Sequence, residues 1–426
     1  MSEAPTLGTI DWDNPFPDVP SHLGMDPYSI PLEELNPAQP ELFEADQQYK
    51  YFERLRKEAP IHKTEVSQFG PYWSVTRYED IMHVDKSHQI FSSETGITLN
   101  DEDEDFKLPM FIAMDQPKHD VQRKTVQGVV SPRNLMNLEP LIRERAGKIL
   151  DELPVGEAFN WVDKVSIELT AQMLATLFDF PFEDRRKLTR WSDVATAGPG
   201  MGIIDSEEQR RAELIECLES FTQLWNDRVN SEPGNDLISM LAHGDSTKNM
   251  PPMEYLGNLI LLIVGGNDTT RNSITGGVYA LNKWPEQFAK LKADQSLIPN
   301  MVAEIIRWQT PLAHMRRRAL VDTELGGQKI KAGEKVCMWY LSGNRDENQF
   351  PDADKLIIDR PNARSHVSFG YGIHRCMGNR LGEMQLRIVW EEILKRFKHV
   401  EVLEEPTRVR SAFVKGYSNM QVMVHA

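Results

Sequence analysis

Apolar residues recur at spacings of three and four along most of the chain, the period that predicts helices. The clearest runs are Leu135 to Leu153, Lys164 to Phe178, Glu207 to Val229, Met253 to Trp284 and Leu381 to Phe397. Strand-like pieces are short: Tyr72 to Thr76, Lys335 to Tyr340 and Met420 to Val424. The pattern predicts a mainly α protein with a minor β part. Three stretches interrupt it. Eight prolines fall in the first forty residues: Pro5, Pro15, Pro17, Pro20, Pro27, Pro31, Pro37 and Pro40. Proline fixes φ and removes a donor, so residues 1–45 are expected to form an extended arm, strapped over the surface or partly disordered. Residues 95–109 carry the acidic cluster Asp101 to Asp105 and read as a solvated loop. Ala195 to Ile203 is rich in glycine. No linker and no repeat divides the remainder, so residues 46–426 are expected to be one large domain.

The run from Met253 is unusual. Continuous to Trp284, it would be about 48 Å long. Its middle holds Gly265 and Gly266, then Asp268 and Thr269. Adjacent glycines inside a helix cost roughly 1 kcal/mol each relative to alanine, but they permit close approach and local unwinding. Helix packing at the glycines and back-bonding by the threonines is an equally good reading of these residues.

Composition narrows the class. Hydrophobic residues make up 40% of the 426 and charged residues 26%, an ordinary globular balance. The net charge of −16 argues against nonspecific nucleic-acid binding, yet leaves room for a local basic patch that docks an acidic partner. The three cysteines, Cys217, Cys337 and Cys376, are odd in number and far apart. That is no disulfide framework, and a reducing compartment fits. No apolar run approaches the roughly 20 residues of a membrane helix. The N-terminus lacks the basic start and apolar stretch of a signal peptide. A cytoplasmic protein is the expectation.

The strongest chemical signal is Phe369-Gly-Tyr-Gly-Ile-His-Arg-Cys-Met-Gly378, immediately before an amphipathic run. Glycines allow positive φ and close approach to a flat, bulky group. A cysteine at a helix N-terminus meets exposed N–H groups and the positive end of the dipole, and His374 and Arg375 add positive charge. These favour thiolate over thiol, which suits an iron ligand. A phosphate-binding Gly-x-Gly-x-x-Gly fails at Arg375. A zinc site would need two further close ligands, and no Cys-x-x-Cys pair exists. A buried structural cysteine is the plain alternative.

Phe-Gly-x-Gly-x-His-x-Cys-x-Gly resembles the heme-binding signature of the cytochrome P-450 superfamily of heme-thiolate monooxygenases. Four more segments resemble that family in order: Met114 to Arg123, Gly265 to Thr270, Glu304-Ile-Ile-Arg307, and Gly343 to Asp346 followed by Phe350-Pro351. The resemblance implies heme b with Cys376 as proximal ligand, whose electron donation favours O–O cleavage, and O2 as co-substrate. It implies that Asp268 and Thr269 relay protons to dioxygen, with room made by the glycines. It implies that His119, Arg123, Arg317 and His374 bind the heme propionates; Arg316 and Arg318 flank Arg317. Phe369 would pack beside the sulfur, and Glu304, Arg307 and Arg360 would form a structural ion-pair network. The heme would lie between the long central helix and the helix after the cysteine loop.

Within the superfamily the chain resembles the bacterial alkane and fatty-acid terminal hydroxylases. That implies medium-chain n-alkanes, primary alcohols or fatty acids oxidised at the terminal carbon, which needs a narrow apolar channel because positioning must override C–H reactivity. Candidate channel residues are Leu261, Val264, Gly265, Leu312, Ala313, Met315, Phe413 and Val414; ordinary core packing explains each about as well. The loop from Thr95 to Phe111 is a candidate lid. No flavin or iron–sulfur motif is present, so electrons must come from outside. The resemblance implies a [2Fe–2S] ferredoxin and its NAD(P)H-dependent reductase, docking near Cys376 where Arg123, Arg375 and Lys398 offer positive charge, and a monomer. The alternatives are a hydroxylase of a bulkier terpene or steroid, a peroxide-using peroxygenase, and a non-enzymatic heme-thiolate gas sensor. An intact Asp268–Thr269 pair favours dioxygen over peroxide.

Overall fold

The computed structural model describes Phe16 and residues 18–426. Pro5, Pro15 and Pro17 of the expected arm lie outside the described residues. The described part of the arm is not a loose strap. Ile30, Leu35, Ala38, Leu42 and Phe43 are buried and pack with Phe52, Trp339 and Leu341. Burying this many apolar side chains offsets the entropy of ordering a proline-rich segment.

The helical part is built around Pro252–Lys283, close to the expected span. Proline suits its first turn, where no intrahelical N–H is needed, and Pro285 opens the next helix. The central helix packs against Glu168–Phe178, Arg186–Thr196, Ile298–Gln309 and Asn379–Arg396. Glycine placement explains how closely. A Cβ on Gly257 would collide with the Pro109 carbonyl, and one on Gly276 with the Gln309 side chain. Other expected helices appear as Pro132–Asp151 and Glu207–Val229, capped by Ser131 and Ser206. A π-helical turn, Val162–Ile167, replaces the start of the run expected from Lys164.

The main sheet has five strands, in the spatial order Ile61–Thr64, Tyr72–Val75, Lys335–Met338, Met315–Ala319 and Phe91–Ser92. Only the pairing of Tyr72–Val75 with Lys335–Met338 is parallel, with Trp73 opposite Val336. Tyr340, expected in a strand, instead begins the short helix Tyr340–Gly343. At the C-terminus, Gln421–His425 pairs with His399–Val402 and Ala158–Asn160. The strand Met315–Ala319 escapes sequence reading because it contains three successive arginines, two of them buried: Arg316 is 0% exposed and Arg317 3%. The period of two sends Arg316 and Arg317 to opposite faces.

Behind the cysteine loop lies a buried ionic network. Arg307 donates to both Glu304 oxygens at 2.8 Å, and to the carbonyls of Asn344, Ala353 and Lys355 at 2.7, 2.8 and 2.9 Å. Arg360 donates to Glu304 at 3.0 and 3.1 Å, and the Ile357 N–H reaches it at 2.9 Å. This network joins helix Ile298–Gln309 to the chain that leads toward Cys376.

Candidate active site

One cavity of about 430 Å³ opens among these elements, within the usual range of ligand sites. Cys376 forms part of its wall. Its thiol is open to the cavity, whereas Cys217 and Cys337 are buried elsewhere. The cysteine loop is held by backbone. Cys376 N–H donates to the Phe369 carbonyl at 2.7 Å, and Gly370 and Gly372 have φ of 66° and 69°. Gly372 also touches the Asp85 backbone so closely that a Cβ would clash. The N–H groups of Gly378 and Asn379, at the start of helix Asn379–Arg396, point at the sulfur. Burial pushes the Cys376 thiol up, and this outweighs those donors together with Arg123 and Arg375. The helix-end donors and the nearby cations do act in the expected direction, each lowering the thiol, but burial is the larger effect. An iron at the sulfur would supply the missing stabilisation, because a ligated thiol loses its proton.

The residues fit a flat anionic group. A Cβ on Gly265 or on Gly378 would meet nothing within 4 Å, so both elements leave open space. Phe369, Arg123, Arg317 and His374 line the cavity. The His374 ring bonds Ser93 Oγ at 3.1 Å through Nε2, and its Nδ1 has no partner. His119 is buried behind it, the ring centroids 4.3 Å apart, with Nε2 also unpartnered and Nδ1 on Asp120 at 2.7 Å. Burial, reinforced by Arg317, pushes His374 down to about 2. Two orphaned imidazole nitrogens beside two arginines are what a carboxylate-bearing cofactor edge would satisfy. Of the three successive arginines, only Arg317 faces the cavity. Its charge is shared with Asp85 at 2.8 Å, and Asp85 also accepts from Tyr340 Oη and Tyr371 N, each at 2.8 Å. Asp85 and Ser93 were not legible, since each lies more than 200 residues from the partner it serves.

The acid–alcohol pair divides. Thr269 lines the cavity and donates its hydroxyl to the Gly265 carbonyl at 2.8 Å. The helix stays α through these glycines, so the unwinding they permit is not used here. Asp268 is not in the wall; it is 0% exposed and turned behind the helix. There it accepts from Ser192 Oγ at 2.9 Å and pairs with Arg271, which also holds Asp193 at 2.9 Å. Burial lifts its carboxyl to about 6, with Asp193 pushing the same way and Arg271 opposing. A carboxyl near neutrality can give up and regain a proton. Helix Arg186–Thr196, which is not among the runs read from the sequence, supplies Ser192 and Asp193.

The channel candidates also divide. Leu261, Val264, Gly265, Leu312, Met315 and Phe413 line the cavity; Ala313 and Val414 do not. Ala313 is 0% exposed, and its N–H bonds the Phe413 carbonyl. Val414 pairs with Leu312 in a β-bridge. Both face the core, because alternate residues of an extended chain point opposite ways. Lys398 is corrected as well. It follows an 18-residue helix that begins just after Cys376, which places it about 27 Å away along the axis.

The acidic loop is solvated only in part: Glu102, Glu104 and Asp105 are exposed, while Asp101 and Asp103 are drawn inward. Residues 96–103 with Phe106, Leu108, Met110 and Phe111 line the cavity, as the lid reading expects. Asp101 pairs with Arg316 and Lys335, each at 2.7 Å, and Asp103 pairs with Arg211 at 3.1 Å. Burial pushes the Asp101 carboxyl up, but Lys335 and Arg316 outweigh it and hold it below the usual value. Its contribution is thus present above the ordinary aspartate range and fades as pH falls below about 4. Asp101→Asn should weaken the pin by about 1.5–3 kcal/mol. Amide hydrogen exchange over residues 95–105 should then quicken by about tenfold or more.

Among the described residues no helix is long and apolar enough to cross a membrane, and no three His, Cys, Asp or Glu side chains converge on a metal-sized site.

A family model for cytochrome P450 matches residues 205–423, just over half of the chain. A linalool 8-monooxygenase of Pseudomonas putida is 35% identical, covering 90% of this chain and 97% of its own. A methyl-branched lipid omega-hydroxylase of Mycobacterium tuberculosis is 32% identical, covering 87% and 90%. The solved structure of CYP153D17 from Sphingomonas sp. PAMC 26605 superposes with a TM-score of 0.86 at 51% identity, covering 91% and 98%. The glycine-caged cysteine, the helix that faces it and these likenesses together place the chain in the cytochrome P450 family, whose members are monooxygenases that use cysteine-ligated heme and O2.

Proposed function

We propose that Cys376 ligates the heme iron and that the enzyme hydroxylates the terminal carbon of medium-chain n-alkanes or fatty acids. The observation that carries the assignment is that, among the described residues, Cys376 is the cysteine that opens onto the cavity. The heme supplies dioxygen reduction and insertion of one oxygen atom into a C–H bond, with two electrons from outside. Arg123, Arg317, His374 and His119 hold its propionates, and Phe369 flanks the sulfur. Leu261, Val264, Leu312, Met315 and Phe413 exclude water and orient an apolar chain. Thr269 presents a hydroxyl in the lumen while Asp268 exchanges protons behind the helix. Electrons come from a [2Fe–2S] ferredoxin and its NAD(P)H-dependent reductase, with exposed Arg375 near the docking face.

Terminal selectivity draws support from the likeness to the methyl-branched lipid omega-hydroxylase. A second reading, a terpene hydroxylase, is favoured by the 35% identity to linalool 8-monooxygenase. Product analysis separates them. With ferredoxin, reductase and NADH, linear substrates should yield mainly the terminal alcohol. Turnover of ring or branched substrates alone would overturn the linear reading.

Thr269→Ala tests the relay. NADH consumption should continue while product formed per NADH falls by about tenfold or more, the scale of lost acid–base assistance. Unchanged coupling would remove Thr269 from the mechanism.

A further inference from the structure

Asp85 lies in the last turn of helix Tyr78–Lys86 and is 2% exposed. A negative charge there meets the negative end of the helix dipole, and burying it adds a desolvation cost. Local rules broken in this way cluster at functional sites. Asp85 is not in the cavity wall, yet it joins two parts of the site that are. Its Oδ1 accepts from Arg317 Nη2 at 2.8 Å. Its Oδ2 accepts from Tyr340 Oη and from the Tyr371 N–H, each at 2.8 Å. Tyr371 stands between the two positive-φ glycines of the cysteine loop. A Cβ on Gly372 would lie 2.6 Å from the Asp85 carbonyl oxygen, and one on Gly370 would lie 3.4 Å from Oδ2. The loop that carries Cys376 therefore rests its backbone directly on Asp85.

We propose that Asp85 is a positioning residue that holds down the reduction potential of the heme iron. This rests on the assignment of Cys376 as the iron ligand. Through Oδ1, Asp85 shares the charge of Arg317, so the arginine meets the cofactor's carboxylate edge with part of that charge already engaged. Through Oδ2 it fixes the loop, and outer partners of this kind tune a metal through its ligand. Its own charge is buried, where charges act more strongly than in water. The step concerned is the uptake of one electron by ferric iron from the external donor; no bond in the protein forms or breaks. The added negative charge is opposed by Asp85 and would be favoured by an unshared Arg317. Both effects have the same sign, so an acid at position 85 makes the iron harder to reduce.

The test is a spectroelectrochemical titration of the heme-loaded enzyme without substrate, in the wild type, Asp85→Asn and Tyr340→Phe. Asparagine keeps the shape of aspartate and removes the charge. Asp85→Asn should favour the reduced iron by about tenfold, the scale of one buried charge, which for one electron is a positive shift of about 59 mV. Tyr340→Phe should shift the potential the opposite way, because the carboxylate loses a donor that offsets its charge. A role confined to folding would lower both melting temperatures and would not give potentials of opposite sign. An unchanged potential in Asp85→Asn, or shifts of the same sign in both variants, would overturn the proposal and leave Cys376 as the ligand. Where Asp85→Asn retains no heme, Tyr340→Phe decides: a negative shift supports the proposal and any other result overturns it. A wild type without a thiolate-heme band would overturn the Cys376 assignment and this proposal together.

Discussion

Cys376→Ser is expected to give a folded protein that has lost heme-thiolate chemistry. The side chain faces the cavity, so replacing sulfur by oxygen opens no core void, and the backbone bond from residue 376 to Phe369 remains. What disappears is the sulfur itself, the more acidic and softer ligand atom; a serine hydroxyl can still accept from Gly378 and Asn379 but does not replace a thiolate. Losing a residue that only hydrogen-bonds a metal ligand costs about 10–100-fold; loss of the ligand itself should exceed that range. Circular dichroism should match the wild type, while the thiolate-heme spectrum vanishes and turnover falls more than about 100-fold. A retained thiolate spectrum would mean that Cys217 or Cys337 does the ligating, and each of those is buried away from the cavity.

Glu304→Ala should do the reverse, removing the fold before the chemistry. Glu304 is the counter-charge of Arg307 and Arg360, which are 0% and 3% exposed. Taking one partner from a buried pair strands the other at a cost of about 3–5 kcal/mol. Against a total stability of about 5–15 kcal/mol, that is a large fraction. The melting temperature should fall by about 3–6 °C, with poor heme retention. Arg307→Lys should fail similarly, because one ammonium cannot reach Glu304 and three separate carbonyls at once. Normal melting in either variant would show that the network is dispensable.

The parts of this molecule that could be read from sequence are those where chemistry constrains neighbours along the chain. The cysteine loop is local: its glycines, histidine and cysteine sit within ten residues, and the turn geometry demands them. The central helix was legible for the same reason, since its periodicity runs unbroken to a proline. Other features are set by partners far along the chain. Asp101 looked solvated because Arg316 and Lys335 lie more than 200 residues away. Leu312 and Ala313 are both apolar neighbours, yet one lines the cavity and the other fills the core, and hydrophobicity cannot tell a lumen wall from a core. Asp268 and Thr269 are adjacent, but a helix turns successive side chains by about 100°, which sends the acid behind the helix and the alcohol into the cavity.

The most direct single measurement is an optical titration of the purified heme protein with a chain-length series of n-alkanes and fatty acids, beside a ring terpene and a steroid. A thiolate-heme band that shifts to the high-spin form with a chain-length optimum is the expected result. It would put an apolar chain beside the iron held by Cys376. A band that responds to the ring compounds alone would contradict the linear channel, and the absence of any thiolate-heme band would contradict the assignment of Cys376.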